Sequence, residues 1–168
     1  MNETETNIPN CSIIKIIGFG NIFMGDDGIG VRVIEELQLQ QVFKDNENIE
    51  LIDGGTSGID LVFMLQDAAR AIIIDAVDAG QETGQIVVFS LHEIVEFKKK
   101  IFKSYSLHGI DLAEAFELVK SLNLTTDIKI IGIKPKNIGY SDKLSPEIEN
   151  SIPEIIVKIK GEVSAVRR

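Results

Sequence analysis

Five short runs dense in Ile and Val, at Ile13–Ile17, Ile49–Ile52, Ala71–Asp75, Ile86–Phe89 and Ile128–Ile133, punctuate this chain. Most are separated by stretches whose apolar residues recur at helical spacing, and such alternation restricts the chain to helices layered on a sheet. Helices are expected over Ile29–Phe43, Gly58–Gln66, Leu107–Leu122 and Ser145–Lys160; in the first, Ile29, Val33, Ile34, Leu37 and Val42 fall on or near one face. The run Ala-Ile-Ile-Ile-Asp at 71–75 has no polar face, so its strand must be covered on both sides, as parallel strands are. The link AVDAGQETGQ between the third and fourth runs is too short and too polar for a crossover helix, so the fourth strand is expected to run against the others. The prediction is an α/β fold, a three-layer α/β/α arrangement around a mixed five-stranded sheet with one antiparallel member.

A length of 168 residues, 44% of them apolar and 26% charged, suits one domain with a well-buried core. Residues 1–12 form an expected flexible leader, 13–162 the domain, and 163–168 a frayed end. The polar start MNETETNIPN lacks the basic and apolar regions of a signal peptide, and no run approaches the length of a spanning helix. A cytoplasmic protein without membrane association is therefore expected. The net charge of −9 argues against nucleic-acid binding, and a solvated face accounts for the one dense basic run, Lys98–Lys100. The single cysteine, Cys11, can form neither an internal disulfide nor a thiolate metal cluster.

In open α/β sheets, ligands bind beyond the carboxyl ends of the strands. There the first strand runs into GFGNIFMGDDGIG, the second into Asp53 of DGGTSG, and the third ends at Asp75. Taken singly, each loop has an ordinary explanation in glycine turns and helix-capping aspartates. A dinucleotide fingerprint fails because Phe23 stands at its third glycine, and a Walker loop fails for want of Gly-Lys-Ser/Thr. Two adjacent carboxylates at a helix start would also repel phosphate. Neighbouring helical side chains diverge by about 100°, so Asp26 is assigned to a cap or to loop structure and Asp27 to the cleft.

Of two histidines, His92 lies among acidic residues after the fourth strand, which suits the surface, whereas His108 heads an amphipathic helical pattern. His108 serves either as a core or capping residue or as a cleft residue. In the second case Asp27, Asp75 and His108 supply two oxygen donors and one nitrogen donor, a set suited to Ni, Zn or a similar divalent ion with coordination positions left open.

These residues resemble those of the hydrogenase maturation endopeptidases, which process the large subunit of nickel-iron hydrogenases. IIGFGNIFMGDDGIGVRVIEEL is similar to that family's opening G-x-G-N-x-L-x-x-D-D/E-G-x-G, IDGGTSGIDL to its D-G-G-T-x-G loop, and AIIIDAVDAG to its third-strand D-A segment. YSLHGIDLAEAF is similar to its S-x-H-x-x-x-L element, and IIGIKPKNIGYSDKLS to its G-I-x-P and L-S ending. The resemblance implies the strand order 2-1-3-5-4 with strand 4 antiparallel, and nickel binding by Asp27, Asp75 and His108, which are also its catalytic residues. It implies substrate recognition by the loop containing Asp53, Gly54, Gly55 and Thr56. Phe23, where Leu is commoner, and Lys136, where an acid is frequent, bear on substrate choice.

The activity implied is one endoproteolytic cut that removes a carboxy-terminal extension from the large-subunit precursor after nickel insertion. Nickel would come with the precursor, no organic cofactor would be held tightly, and the protein would act as a monomer. Hydrolysis could use metal-polarised water or a carboxylate base. Ser106 is a weak candidate nucleophile, and the absence of H-E-x-x-H excludes a zincin. The alternative is a module that docks on the same precursor without cutting it.

Overall fold

The computed structural model describes residues 13–91, 93, 103–104 and 112–165. Strands β1 (Ile14–Phe19), β2 (Ile49–Gly55), β3 (Arg70–Asp78), β4 (Ile86–Ser90) and β6 (Asp127–Ile133) form one sheet in the order β2-β1-β3-β6-β4. A two-residue strand, β5 (Lys103–Ser104), pairs antiparallel with Val77 and Asp78 of β3. The predicted fifth strand is thus β6, and the predicted order holds. β1, β2, β3 and β6 run parallel, whereas β4 runs antiparallel to β6.

Both faces of the central strands are apolar because each meets a separate helical layer. Ile14 and Ile16 of β1, Ile72, Ile74 and Ala76 of β3, and Ile131 and Ile133 of β6 form one face. They pack against helices α1 (Ile29–Leu39) and α5 (Ile152–Ser164). The alternate residues Ile17, Phe19, Ala71, Ile73, Val77, Ile128 and Ile130 form the other face. They meet Leu61 of helix α2 (Leu61–Met64), the following Leu65, and Val119 of helix α3 (Leu112–Ser121). Period-two side-chain direction combined with a continuously apolar run is what fills two cores from one strand.

Several boundaries differ from those expected. β3 continues past Asp75 to Asp78, because β6 pairs with it as far as Ala76 and β5 takes up Val77 and Asp78. The helix expected over Ser145–Lys160 is two: α4 (Pro146–Glu149) and α5, separated where Pro153, which has no N–H to donate, opens a new first turn. α5 runs through Ser164 and buries Val163, so ordered structure passes the expected limit at 162. Of the helix expected over Leu107–Leu122, residues 107–111 lie outside the described residues.

A further difference is at α1, which stops at Leu39 rather than Phe43. Gln41 takes φ +52°, its N–H donates to the Gln38 carbonyl, and the Val42 N–H donates to the Leu37 carbonyl. That pair of bonds is a Schellman ending, and it lets half-buried Val42 pack on the core beyond the helix. The left-handed position is one that glycine occupies without the cost of about 1–2 kcal/mol borne by an L side chain. Gln41→Gly should therefore stabilise the protein by about 1 kcal/mol, which thermal denaturation would show as a midpoint raised by about 2–4 °C.

Candidate active site

The carboxyl edge of the sheet is assembled around a helix seated on bare backbone. A Cβ at Gly30 would lie 2.3 Å from both the Ile74 and the Phe19 carbonyl oxygens, and one at Gly18 would lie 2.1 Å from the Gly30 oxygen. No side chain fits there. The first turn of α1 consequently rests directly on β1 and β3, and the 3-10 turn Gly25–Gly28 that precedes it comes to the strand ends. Gly20, at φ +136°, passes so close beneath the Asp27 carbonyl oxygen that a Cβ would stand 1.8 Å from it. The glycines of the motif serve these approaches rather than a phosphate.

Asp27 is 3% exposed, and its Oδ2 accepts the Asn21 backbone N–H at 2.8 Å. Asp75 is fully buried in β3, opposite Gly132 of β6. It follows Ile74, whose carbonyl lies under Gly30, three residues after Asp27. Two of the three expected site residues are therefore brought to one edge of the sheet and withdrawn from water. Among the described residues, no three His, Cys, Asp or Glu side chains gather into a metal-holding group. His108 lies outside the described residues.

Asp26 does not cap its own turn, which has no side-chain capping bond. It is fully buried and binds a distant segment instead. Its Oδ2 accepts the N–H groups of Lys136 at 2.9 Å and Asn137 at 2.8 Å and the Ser145 hydroxyl at 2.8 Å, while Oδ1 accepts the Ser145 N–H at 2.6 Å. Hydrogen bonds to a charged group are worth about 1.5–3 kcal/mol each, enough in sum to offset burial of the charge. Backbone bonds continue the seam: Gly25 N–H to Ser141, Asp26 N–H to Asn137 and Ser141 N–H to Phe23. Of the two expectations for Asp26, loop structure is the one observed. The partners lie 110 to 119 residues further along the chain, so no local pattern could name them.

The second loop is tied to the first by the Gly20 N–H, which donates to the Gly55 carbonyl at 2.8 Å. Asp53 is exposed and accepts the Gly55 N–H through its own side chain at 2.8 Å, and Thr56 is exposed beside it. Gly54 is buried against Phe19. Asp53 and Thr56 are thus the members of the expected recognition loop with side chains at the surface. Phe23 is 64% exposed, and the Lys136 ammonium pairs with Glu147, whose carboxyl that contact holds below its ordinary range.

Buried acids at the carboxyl edge of a mixed α/β sheet suit a cation there better than a nucleotide phosphate. The family model described as HycI, hydrogenase maturation protease, matches residues 31–162. The hydrogenase expression/formation protein HupD of Bradyrhizobium diazoefficiens is 32% identical over 141 residues, which cover 83% of this chain and 71% of HupD. A putative hydrogenase maturation protease of Methanocaldococcus jannaschii is 31% identical over 156 residues, covering 89% of this chain and 96% of that one. Among solved structures, the hydrogenase maturating endopeptidase HybD of Escherichia coli superposes with a TM-score of 0.76 at 22% identity, over 92% of this chain and 94% of HybD, and so shares the fold. The chain belongs to the hydrogenase maturation protease family and is a peptide-bond hydrolase.

The seat of α1 is directly testable. Gly30→Ala would force the helix off the sheet and should destabilise the protein by about 2–3 kcal/mol, seen as a lower urea midpoint with an unchanged slope.

Proposed function

We propose that this protease removes a carboxy-terminal extension from a nickel-iron hydrogenase large-subunit precursor, and that nickel carried by the precursor is what the site recognises. The observation that carries the reading is the withdrawal of both Asp27 and Asp75 from water at the sheet edge where α/β proteins bind ligands. Membership of the maturation protease family supports the choice of substrate. Two carboxylates in a region of reduced dielectric attract a divalent ion several-fold more strongly than they would in water. Oxygen donors with one imidazole are a set that nickel accepts, and His108 is the imidazole we assign to it.

In this reading Asp27, Asp75 and His108 complete the shell of the substrate's ion and so bring the adjoining peptide to the site, while exposed Asp53 and Thr56 flank the entering chain. Gly54 and Gly55 shape that loop. The protein holds no organic cofactor tightly. We take its working form to be a cytoplasmic monomer, for which the charge of −9 favours solubility. No helix among the described residues is long and apolar enough to cross a membrane.

The test incubates the protein with nickel-loaded and nickel-free precursor and follows the mass of the large subunit. Loss of a carboxy-terminal fragment is expected with the nickel-loaded form alone. Asp27→Ala and Asp75→Asn should each slow processing by at least about 100-fold with circular dichroism unchanged. Equal cutting of both precursors would remove nickel from the reading, and stable binding with no change in mass would return the docking module in place of the protease.

A further inference from the structure

We infer that Asp26 is a positioning residue for the proposed cut: its carboxylate clasps the segment Lys136–Ser145 to the Gly25–Gly28 turn and thereby sets where Asp27 stands. The inference rests on the reading of Asp27 given above. Asp26 and Asp27 are consecutive residues of one tight turn, so a force that holds one backbone unit holds the next. On one side the turn is pinned by glycine contacts, with Gly20 under Asp27 and a Gly28 Cβ position only 2.8 Å from the Ile22 Cα. The other side also comes close to its neighbour, since a Cβ at Gly25 would stand 2.7 Å from the Asn137 carbonyl oxygen. It is held by the four bonds to the Asp26 carboxylate and by the three backbone bonds beside them.

All four donors to Asp26 come from a segment that follows β6, whereas the Asp27 carboxylate is engaged by Asn21 in the loop that follows β1. The turn therefore bridges two loops, and the adjacent acids face opposite partners. An acceptor with two oxygens is needed, because three of the donors are backbone N–H groups that cannot reverse their polarity. Asparagine in this place would turn its own amide hydrogens toward one of them. The clasp would open on that side, and the Asn21–Asp27 bond would lose its fixed geometry.

The experiment compares the wild type with Asp26→Asn, Ser145→Ala and Asp27→Ala, each confirmed folded by circular dichroism. It measures processing kinetics on the nickel-loaded precursor and amide hydrogen exchange. For Asp26→Asn, kcat should fall by about 10-fold or more while KM changes by less than about 3-fold. Exchange of the Asn21 amide should speed up by at least about 10-fold, although Asn21 donates to Asp27 and not to the Asp26 carboxylate. Ser145→Ala removes the hydroxyl donor but keeps its backbone N–H, and should move both readouts the same way by less; it carries the test if Asp26→Asn does not fold. Wild-type kcat, or unchanged Asn21 protection, in the folded variants would overturn the positioning role and leave Asp26 as loop structure only. If Asp27→Ala is inactive while Asp26→Asn works normally, the clasp alone is wrong. Full processing by Asp27→Ala would overturn the site reading and the clasp with it.

Discussion

The arrangement of this molecule depends on one close approach, that of the first turn of α1 to the backbones of β1 and β3. Gly18 and Gly30 meet there with no side chain between them. Ordinary helix-on-sheet packing places a layer of side chains in that gap. Removing it lowers the amino end of the helix onto the strand tips, and the preceding turn, with Asp26 and Asp27, goes with it. The acid of β3 is then one residue away from the contact. Packing density makes such a seat intolerant, since a single methyl group has nowhere to go.

Three carboxylates are buried at this edge, and they illustrate how differently a fold can use the same chemical group. Asp26 is enclosed by donors from one segment and serves as a joint. Asp27 keeps an amide of the first loop, and Asp75 sits within the sheet itself. Low local dielectric raises the energetic stakes of every polar contact in such a place, which favours both tight structural clasps and strong attraction of a cation. A site formed this way is stiff, because its acids sit on a strand and on a turn held from two sides rather than on a free loop.

Much of the fold was legible from residue pattern. The apolar runs marked the five main strands, and the polar link after β3 marked β4 as the antiparallel member, because both follow from rules about local length and burial. What was misjudged was either unmarked by residue type or set by partners beyond that range. The end of α1 is set by a left-handed Gln41, a residue type that does not announce such a turn. β5 has two residues and no apolar signature, so only its partner on β3 identifies it. The acidic motif was visible, and Asp27 and Asp75 were singled out from it; the task of Asp26 was not, since its partners are remote in sequence.

The sequence by itself determined that strands and helices alternate, that the central strands are buried on both faces, and that glycines and acids collect where strands end. Those features are set by the periodicity and composition of short segments, which need no knowledge of neighbours. Only the tertiary structure decided how the adjacent acids divide, Asp26 to the segment after β6 and Asp27 to the loop after β1. That division is settled by donors and carbonyls brought together across more than a hundred residues, where geometry rather than residue type distinguishes one aspartate from the next.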